Sequence, residues 1–410
     1  MNPQITEFLS LANQSDYLLC CGDAAEVLHD FPPQSVHCCI TSPPYWNQRQ
    51  YSGSSTLGNE RSVEEYVEHL RLIFQTLKPV LRDDGSLWLN LGDTYQKKNL
   101  MGIPWRVALT LQADGWILRN AIVWHKVKGN PCNAKDKLRN CHEYVFHLVK
   151  QEQYYYDVNA IRNPPGQPYY KNGKIVTPTG VSGTKYRQQI LHSQELNETE
   201  KHNAVAALDE TLAKVAQGEL PDFRMIIRGN QRSTHSDSPA YSGRAEELKK
   251  RGFCILPYHK NGTKPDDVWQ IIPEDKWRKD AHFAVFPQEL CEIPIKATCP
   301  LSGVVLDPFM GTGTAIIAAL ELGRRGMGID TSKEYQIIAE NRIAQFIQKK
   351  FQLSDDKVHN NIMRYGNTTA ASVIIALTEA WEMGKIKDND LVVLAAFGSG
   401  FTWGSVVIRW

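Results

Sequence analysis

Residues 304–330 read "VVLDPFMGTGTAIIAALELGRRGMGID". An apolar run gives way to a Gly-rich turn, then to an apolar helical segment, then to a second short apolar run. That is one βαβ unit. Such a unit commits its two strands to lie parallel in one sheet, joined by a crossover helix. The rest of the chain must then supply further strands and helices to cover both faces.

Several segments fit that demand. "SVEEYVEHLRLIFQTLKPVL" (Ser62–Leu81) places Val63, Tyr66, Val67, Leu70, Ile73, Phe74 and Leu77 on one helical stripe. Ser62, with Glu65 three residues on, forms a capping-box pattern. "GSLWLNLGD", "ILRNAIVWHK" and "HEYVFHLV" read as strands, and "IPWRVALTLQADGW" as a helix with a glycine stop. The expected class is α/β.

From about Ile161 to Lys279 the chain turns rich in Pro, Gly, Asn, Ser and basic residues, with one helix expected at "NAVAALDETLAKVAQGEL". The expected organisation is a catalytic half at 1–160, an insertion at 161–279, a cofactor half at 280–353 and a separate fragment at 354–410. A chain of 410 residues can bury cores for two or three domains. Its net charge of +1 gives no global basic signature, so nucleic-acid contact must come from local patches. The nine cysteines include no CxxC pair, which disfavours structural zinc and a disulfide frame. No metal is expected. The N-terminus lacks a signal-peptide pattern, and no run approaches the roughly 18 apolar residues of a membrane span. A cytoplasmic protein without membrane contact is expected.

The glycines of "DPFMGTGT" (Asp307–Thr314) allow close backbone approach to a ligand. Asp330, at the end of the next strand, can accept both hydroxyls of a ribose. No lysine follows the glycines, so the phosphate-loop pattern fails. The third glycine of the dinucleotide fingerprint is also missing. A cofactor with a ribose and no pyrophosphate fits best, which suggests S-adenosylmethionine.

A second feature is "ITSPPYWNQ" (Ile40–Gln48), which follows the apolar run "SVHCCI". Two prolines remove two N–H donors and fix two φ angles, and they push the preceding serine into an extended conformation. The chain holds a hydroxyl, two carbonyls and an aromatic ring stiffly at a strand end.

Together "TSPPY" and "DPFMGTG" resemble the amino-methyltransferases that modify exocyclic amines of DNA bases. The SPPY element comes first and the cofactor loop about 265 residues later, which resembles the permuted beta arrangement of that family. The resemblance covers roughly residues 16–350. It implies a Rossmann-like S-adenosylmethionine-dependent methyltransferase sheet in circularly permuted order, with an inserted target-recognition region. It implies cofactor contacts from Asp23 in "CGDAAEVL", Phe286 in "DAHFAVFPQEL", and Asp307, Phe309, Gly311, Gly313 and Asp330. Catalytic roles fall on Ser42, Pro43, Pro44 and Tyr45. In the family, adenine-N6 enzymes usually carry Asp or Asn before PPY, and Ser is mostly found in cytosine-N4 enzymes. The expected activity is therefore site-specific methylation of cytosine N4 in duplex DNA. Adenine N6 is the alternative, and a non-catalytic DNA-binding protein the second. A cognate restriction endonuclease is the functional counterpart this resemblance brings into view.

The chemistry follows from the substrate. An exocyclic amine on cytosine is a poor nucleophile because its lone pair is delocalised. Acceptors on its N–H bonds, here the Ser42 hydroxyl and the Pro43 carbonyl, can turn that lone pair toward the methyl donor. Tyr45 would stack on the flipped base. No strong base is evident, and the proton leaves after transfer.

"HKVKGNPCNAKDKLRN" supplies Lys126, Lys128, Lys135, Lys137 and Arg139 for phosphate contact. "FRMIIRGNQRSTHSD" supplies Arg224, Arg228 and Arg232 as base-edge readers. Cys132 in "NPCN" is expected to be incidental. "HEYVFH" fails as a metal motif because its histidines are five apart.

The end of the chain, about Lys357–Trp410, resembles the C-terminus of beta-ketoacyl-acyl-carrier-protein synthase III, a short α+β fragment of thiolase-like type. The active-site asparagine of that family falls on Asn367. The family's nucleophilic cysteine and catalytic histidine have no counterpart here, so condensing activity is not expected. A helix at Ala370–Met383 and strands at Leu391–Phe397 and Ser405–Trp410 are expected, as a fused remnant dispensable for methylation.

Overall fold

The structure is a computed structural model that describes residues 2–10, 15–48, 57–128, 134–229, 243–273, 286–365, 371–397 and 403–410. The chain forms two compact units, one of residues 1–157 with 266–410 and one of residues 158–265.

The first unit is built on an eight-stranded sheet. In chain order its strands are β1 (Tyr17–Cys21), β2 (Val36–Thr41), β3 (Leu81–Leu91), β4 (Ile117–His125), β5 (His142–Val149), β6 (Val268–Gln270), β7 (Val304–Asp307) and β8 (Arg325–Asp330). Their spatial order is β1-β8-β7-β2-β3-β5-β4-β6. Only β5 runs against its neighbours β3 and β4; the other pairings are parallel. This is a mostly parallel α/β sheet, with a strand order in keeping with the permuted arrangement that the resemblance implies. The chain begins at one edge, and the last two core strands slot between the first and the second.

Period-two alternation explains why the strands read as continuous apolar runs. Cys39, Leu87, Phe146 and Leu306 face one core, with Phe74 and Leu77 from the helix Val63–Val80. Cys38, Trp88, Val145 and Val305 face the other, with Leu290 and Ile295 from the helix Glu289–Thr298. The adjacent pair Cys38-Cys39 thus sends one thiol to each core.

The βαβ unit read from the sequence is present as β7, the helix Thr314–Glu321 and β8. β7 connects onward to β8 on one side, and β2 connects onward to β3 on the other. Connections therefore diverge between β7 and β2. In open α/β sheets the crevice outside the carboxyl ends at such a point is where ligands bind.

The second unit carries an antiparallel pair, Phe223–Ile227 with Phe253–Pro257. Its core joins Phe223 and Phe253 to Leu208 and Val215 of the helix Glu198–Ala216. That helix starts before the expected Asn203. Asn197 caps it, accepting from the Glu200 N–H, and the Glu200 side chain accepts from the Asn197 N–H. This capping box outweighs the run of polar residues that obscured the first turn.

The end of the chain folds as the helix Ala371–Glu382 and a hairpin of Leu391–Phe397 with Trp403–Arg409. The second strand starts two residues before the expected Ser405, because the antiparallel register continues through Phe397 and Trp403. Leu391, Val393 and Val407 are each 63% exposed. Glu379 gathers Asn361, Tyr365, Arg364 and His359 around one carboxylate. Among the described residues no helix is long and apolar enough to cross a membrane.

Candidate active site

The two sequence motifs meet at the divergence point. β2 ends at Thr41 and β7 at Asp307, and the Thr41 hydroxyl donates to Asp307 Oδ1 at 2.6 Å. This buried bond links residues 266 apart in the chain. The "SPPY" element leaves the sheet on one side of it and the Gly-rich turn on the other.

On the Gly-rich side, Asp307 Oδ1 also accepts from the Phe309 N–H at 3.0 Å. Its other oxygen, Oδ2, is buried without a hydrogen-bond partner among the described residues. Burial pushes this carboxyl up to about 7. Gly311 takes φ +51°, and an added Cβ would meet nothing within 4 Å, so open space adjoins the loop there. The Gly311 N–H donates to Asp330 Oδ2 at 3.0 Å, and the Ser332 N–H to Oδ1 at 2.8 Å. Burial raises the Asp330 carboxyl above its ordinary value. The Gly22 N–H donates to the Asp330 carbonyl, which places Asp23 beside the same strand end. Asp23 caps the helix Ala24–Leu28. Gly313 lies against Ala339, and Phe286 packs on the core that holds Leu290 and Ala315.

One side chain in this half escaped sequence reading. Arg342, 7% exposed, donates from Nη1 to the Thr312 carbonyl, Thr312 Oγ1 and Thr314 Oγ1 at 2.8, 2.6 and 3.1 Å. It braces the glycine loop from the helix Lys333–Lys350. A single arginine in an amphipathic helix gives no sequence signal of that kind.

On the "SPPY" side the stiffness expected from the prolines is reinforced by hydrogen bonds. The Tyr66 hydroxyl, on a fully buried residue, donates to the Pro44 carbonyl at 2.8 Å. No described residue donates to the Pro43 carbonyl. Trp46 is buried in the core and donates to the Glu60 carbonyl. The Tyr45 ring lies so close to Gly92 that a Cβ there would meet Cε2 at 2.6 Å.

Five polar side chains then converge. The Tyr45 hydroxyl donates to Glu143 Oε2 at 2.7 Å. The Ser42 hydroxyl donates to Tyr45 Oη at 3.2 Å. Asn90 Nδ2 donates to Tyr45 Oη and Glu143 Oε2, both at 2.9 Å, and reaches Ser42 Oγ at 3.3 Å. Lys126 Nζ pairs with Glu143 Oε1. Burial first, and then the Glu143 charge, hold the Tyr45 phenol well above its usual range, so it remains a donor at neutral pH. Glu143 and Asn90 were missed from the sequence. Glu143 opens β5 beside the discounted "HEYVFH" histidine. Because β5 alone is reversed, its first residues lie at the carboxyl ends of its parallel neighbours.

The basic residues sort differently. Lys126 is committed to Glu143 and lies over the Trp124 ring. Lys128, Lys135, Lys137 and Arg139 are exposed. Lys137 sits 3.5 Å over the Tyr95 ring, and Lys98 pairs with Asp136 at 2.8 Å. The hairpin carrying Lys97 and Lys98 thus joins the basic loop, which sequence reading did not anticipate. In the second unit Arg224 is exposed, and Arg228 is held by Glu200 Oε2 and the Glu195 carbonyl. Arg232, Cys132 and Asn367 lie outside the described residues.

Comparisons with known proteins give the family. The family model described as DNA methylase matches residues 36–341. The Type II methyltransferase M.SfiI of Streptomyces fimbriatus is 33% identical, over 80% of this chain and 92% of its own. M.SmaI of Serratia marcescens is 27% identical, over 78% and 89%. Among solved structures, PvuII DNA methyltransferase (cytosine-N4-specific) aligns with 84% of this chain and 98% of its own, at 16% identity and TM-score 0.48. Residues 337–410 match the C-terminal model of 3-oxoacyl-[acyl-carrier-protein] synthase III. A synthase III of Caldanaerobacter subterraneus is 50% identical there, but the matched stretch spans only 22% of its length. The sheet, the paired motifs at its divergence point and the family match over three-quarters of the chain lead to one assignment: the protein belongs to the N6/N4 family of DNA methylases.

Proposed function

We propose that this chain methylates the N4 amino group of cytosine in duplex DNA, using S-adenosylmethionine. The observation that carries the reading is the acceptor set at the end of β2. It consists of Ser42 Oγ, held by Asn90 and Tyr45, and the Pro43 carbonyl, whose neighbour Pro44 is held through its own carbonyl by Tyr66. The choice of cytosine rests on Ser42, a neutral acceptor where adenine-specific relatives usually carry Asp or Asn.

The Gly-rich half suits the cofactor. Asp307 Oδ2, buried without a partner among the described residues, calls for a polar occupant, and the space at Gly311 leaves room for one. Asp330 would accept the ribose hydroxyls. Asp307, Phe309, Gly311 and Gly313 would line the loop, with Asp23 and Phe286 flanking it. When bound, the cofactor supplies an electrophilic methyl group on a sulfonium. The chain's own part is orientation. Ser42 and Pro43 accept the amine hydrogens and turn its lone pair outward, and Tyr45 offers a ring to the flipped base. Lys128, Lys135, Lys137 and Arg139 contact phosphates, and the second unit, with Arg224 and the segment through Arg232, reads the target. By this reading the chain serves as the modifying half of a restriction-modification pair.

The test is nucleoside mass analysis of DNA treated with the protein and with Ser42→Ala. N4-methylcytosine from the first and none from the second is expected. N6-methyladenine would overturn the choice of base.

A further inference from the structure

Between Ser42, Tyr45 and Asn90 the direction of the hydrogen bonds is set by one residue outside the motif. An ionised carboxylate can only accept, so Tyr45 must donate its single hydroxyl proton to Glu143 Oε2, 2.7 Å away. Tyr45 Oη is then left as an acceptor, and it receives Ser42 Oγ–H at 3.2 Å and Asn90 Nδ2–H at 2.9 Å. Ser42 has therefore given its only proton inward. Its lone pairs are what it can offer a substrate. The wire Ser42–Tyr45–Glu143 points one way, and Lys126 pairs with Oε1 at its far end.

We infer that Glu143 is a further functional residue of this site: it fixes Ser42 as a hydrogen-bond acceptor and is the final acceptor of the proton the amine loses. The inference rests on the proposed role of Ser42. The step balances as follows. Bond formation to the methyl carbon leaves the amino nitrogen cationic. Its N–H bond breaks, the electron pair returns to nitrogen, and the proton passes to Ser42 Oγ. The Ser42 proton moves to Tyr45 Oη, and the Tyr45 proton to Glu143 Oε2. The base ends neutral and the carboxylate protonated, with no other reagent needed. Asn90 is the positioning residue, since its amide bonds to all three members of the wire.

Two variants test this in single-turnover methylation with saturating cofactor and DNA. Glu143→Gln keeps a side chain of the same shape but can donate as well as accept, so the wire loses its fixed direction. Tyr45→Phe removes the middle link and leaves the Lys126–Glu143 pair in place. Each is expected to slow methyl transfer by about 100-fold or more, because Ser42 is no longer fixed as the acceptor that orients the amine. Cofactor and DNA dissociation constants should stay near wild type, and the solvent deuterium isotope effect should change. A Glu143→Gln enzyme with wild-type rate and isotope effect overturns the inference. So does a loss of cofactor binding in both variants that matches the loss of rate, because Glu143 is then a brace only. If Ser42→Ala abolishes methylation while both variants remain fully active, the proposed function stands and this inference alone falls.

Discussion

β2 and the terminal strand Leu391–Phe397 are both short apolar runs, and they meet opposite fates. In β2, Val36, Cys38 and Cys39 are fully buried, because strands flank it and helices cover both faces. In the terminal hairpin Leu391 and Val393 stay 63% exposed, because among the described residues their strand has one partner only. Apolar content makes a strand, but only a complete set of neighbours makes a core. The terminal segment matches just the end of a much longer synthase, 22% of the length of the Caldanaerobacter protein.

The contrast can be broken by truncating side chains. Phe74→Ala, in the core against β2, should cost about 3–5 kcal/mol in urea unfolding. Val393→Ala in the hairpin should stay within ~0.5 kcal/mol. Equal losses would mean the hairpin has an unseen cover.

Asp307 gives the core a pH signature that the terminal segment lacks. Its folded value of about 7 lies above the ordinary carboxylate value of 3.8. Between those values the native state binds more protons than the unfolded chain, so stability falls as pH rises. The expected drop from pH 4 to 7 is on the order of 4 kcal/mol. Asp307→Asn should remove that component from a melting-temperature series against pH.

The border between the two regions falls inside one helix, and Arg342 marks it. The methylase match ends at residue 341 and the synthase match begins at 337. Yet Arg342 holds Thr312 and Thr314. Arg342→Met should cost about 1.5–3 kcal/mol and weaken cofactor binding in calorimetry. Cutting after Leu353 keeps Arg342 and removes the hairpin. Methylation by that shortened chain should stay within about 2-fold of the full chain, the smallest effect of the set. A large loss would give the terminal segment a role in the reaction.

These outcomes also bear on what could be read in advance. Ser42, Tyr45, Asp307 and Gly311 were legible because their signal is local: turn chemistry at a strand end. Glu143, Asn90 and Arg342 were not, because each acts through a partner distant in the chain. The reversed direction of β5, which brings Glu143 to the site, leaves no mark in its own apolar alternation. The helix start at Glu198 was missed for a different reason. Its first turn is almost wholly polar, and the cap at Asn197 was the only clue.

The Thr41–Asp307 bond has one more consequence, which concerns time. β1 and β2 are made early, but the strands that separate them, β7 and β8, are the last of this sheet to be made. At about 5–20 residues per second, the gap between the bond's two partners is on the order of tens of seconds of synthesis. During that interval β2 has no neighbour on its β7 side, and that open edge can pair wrongly. A nascent chain of this order therefore stays catalytically silent until its closing strands arrive. It would profit from a chaperone that shields one specific edge.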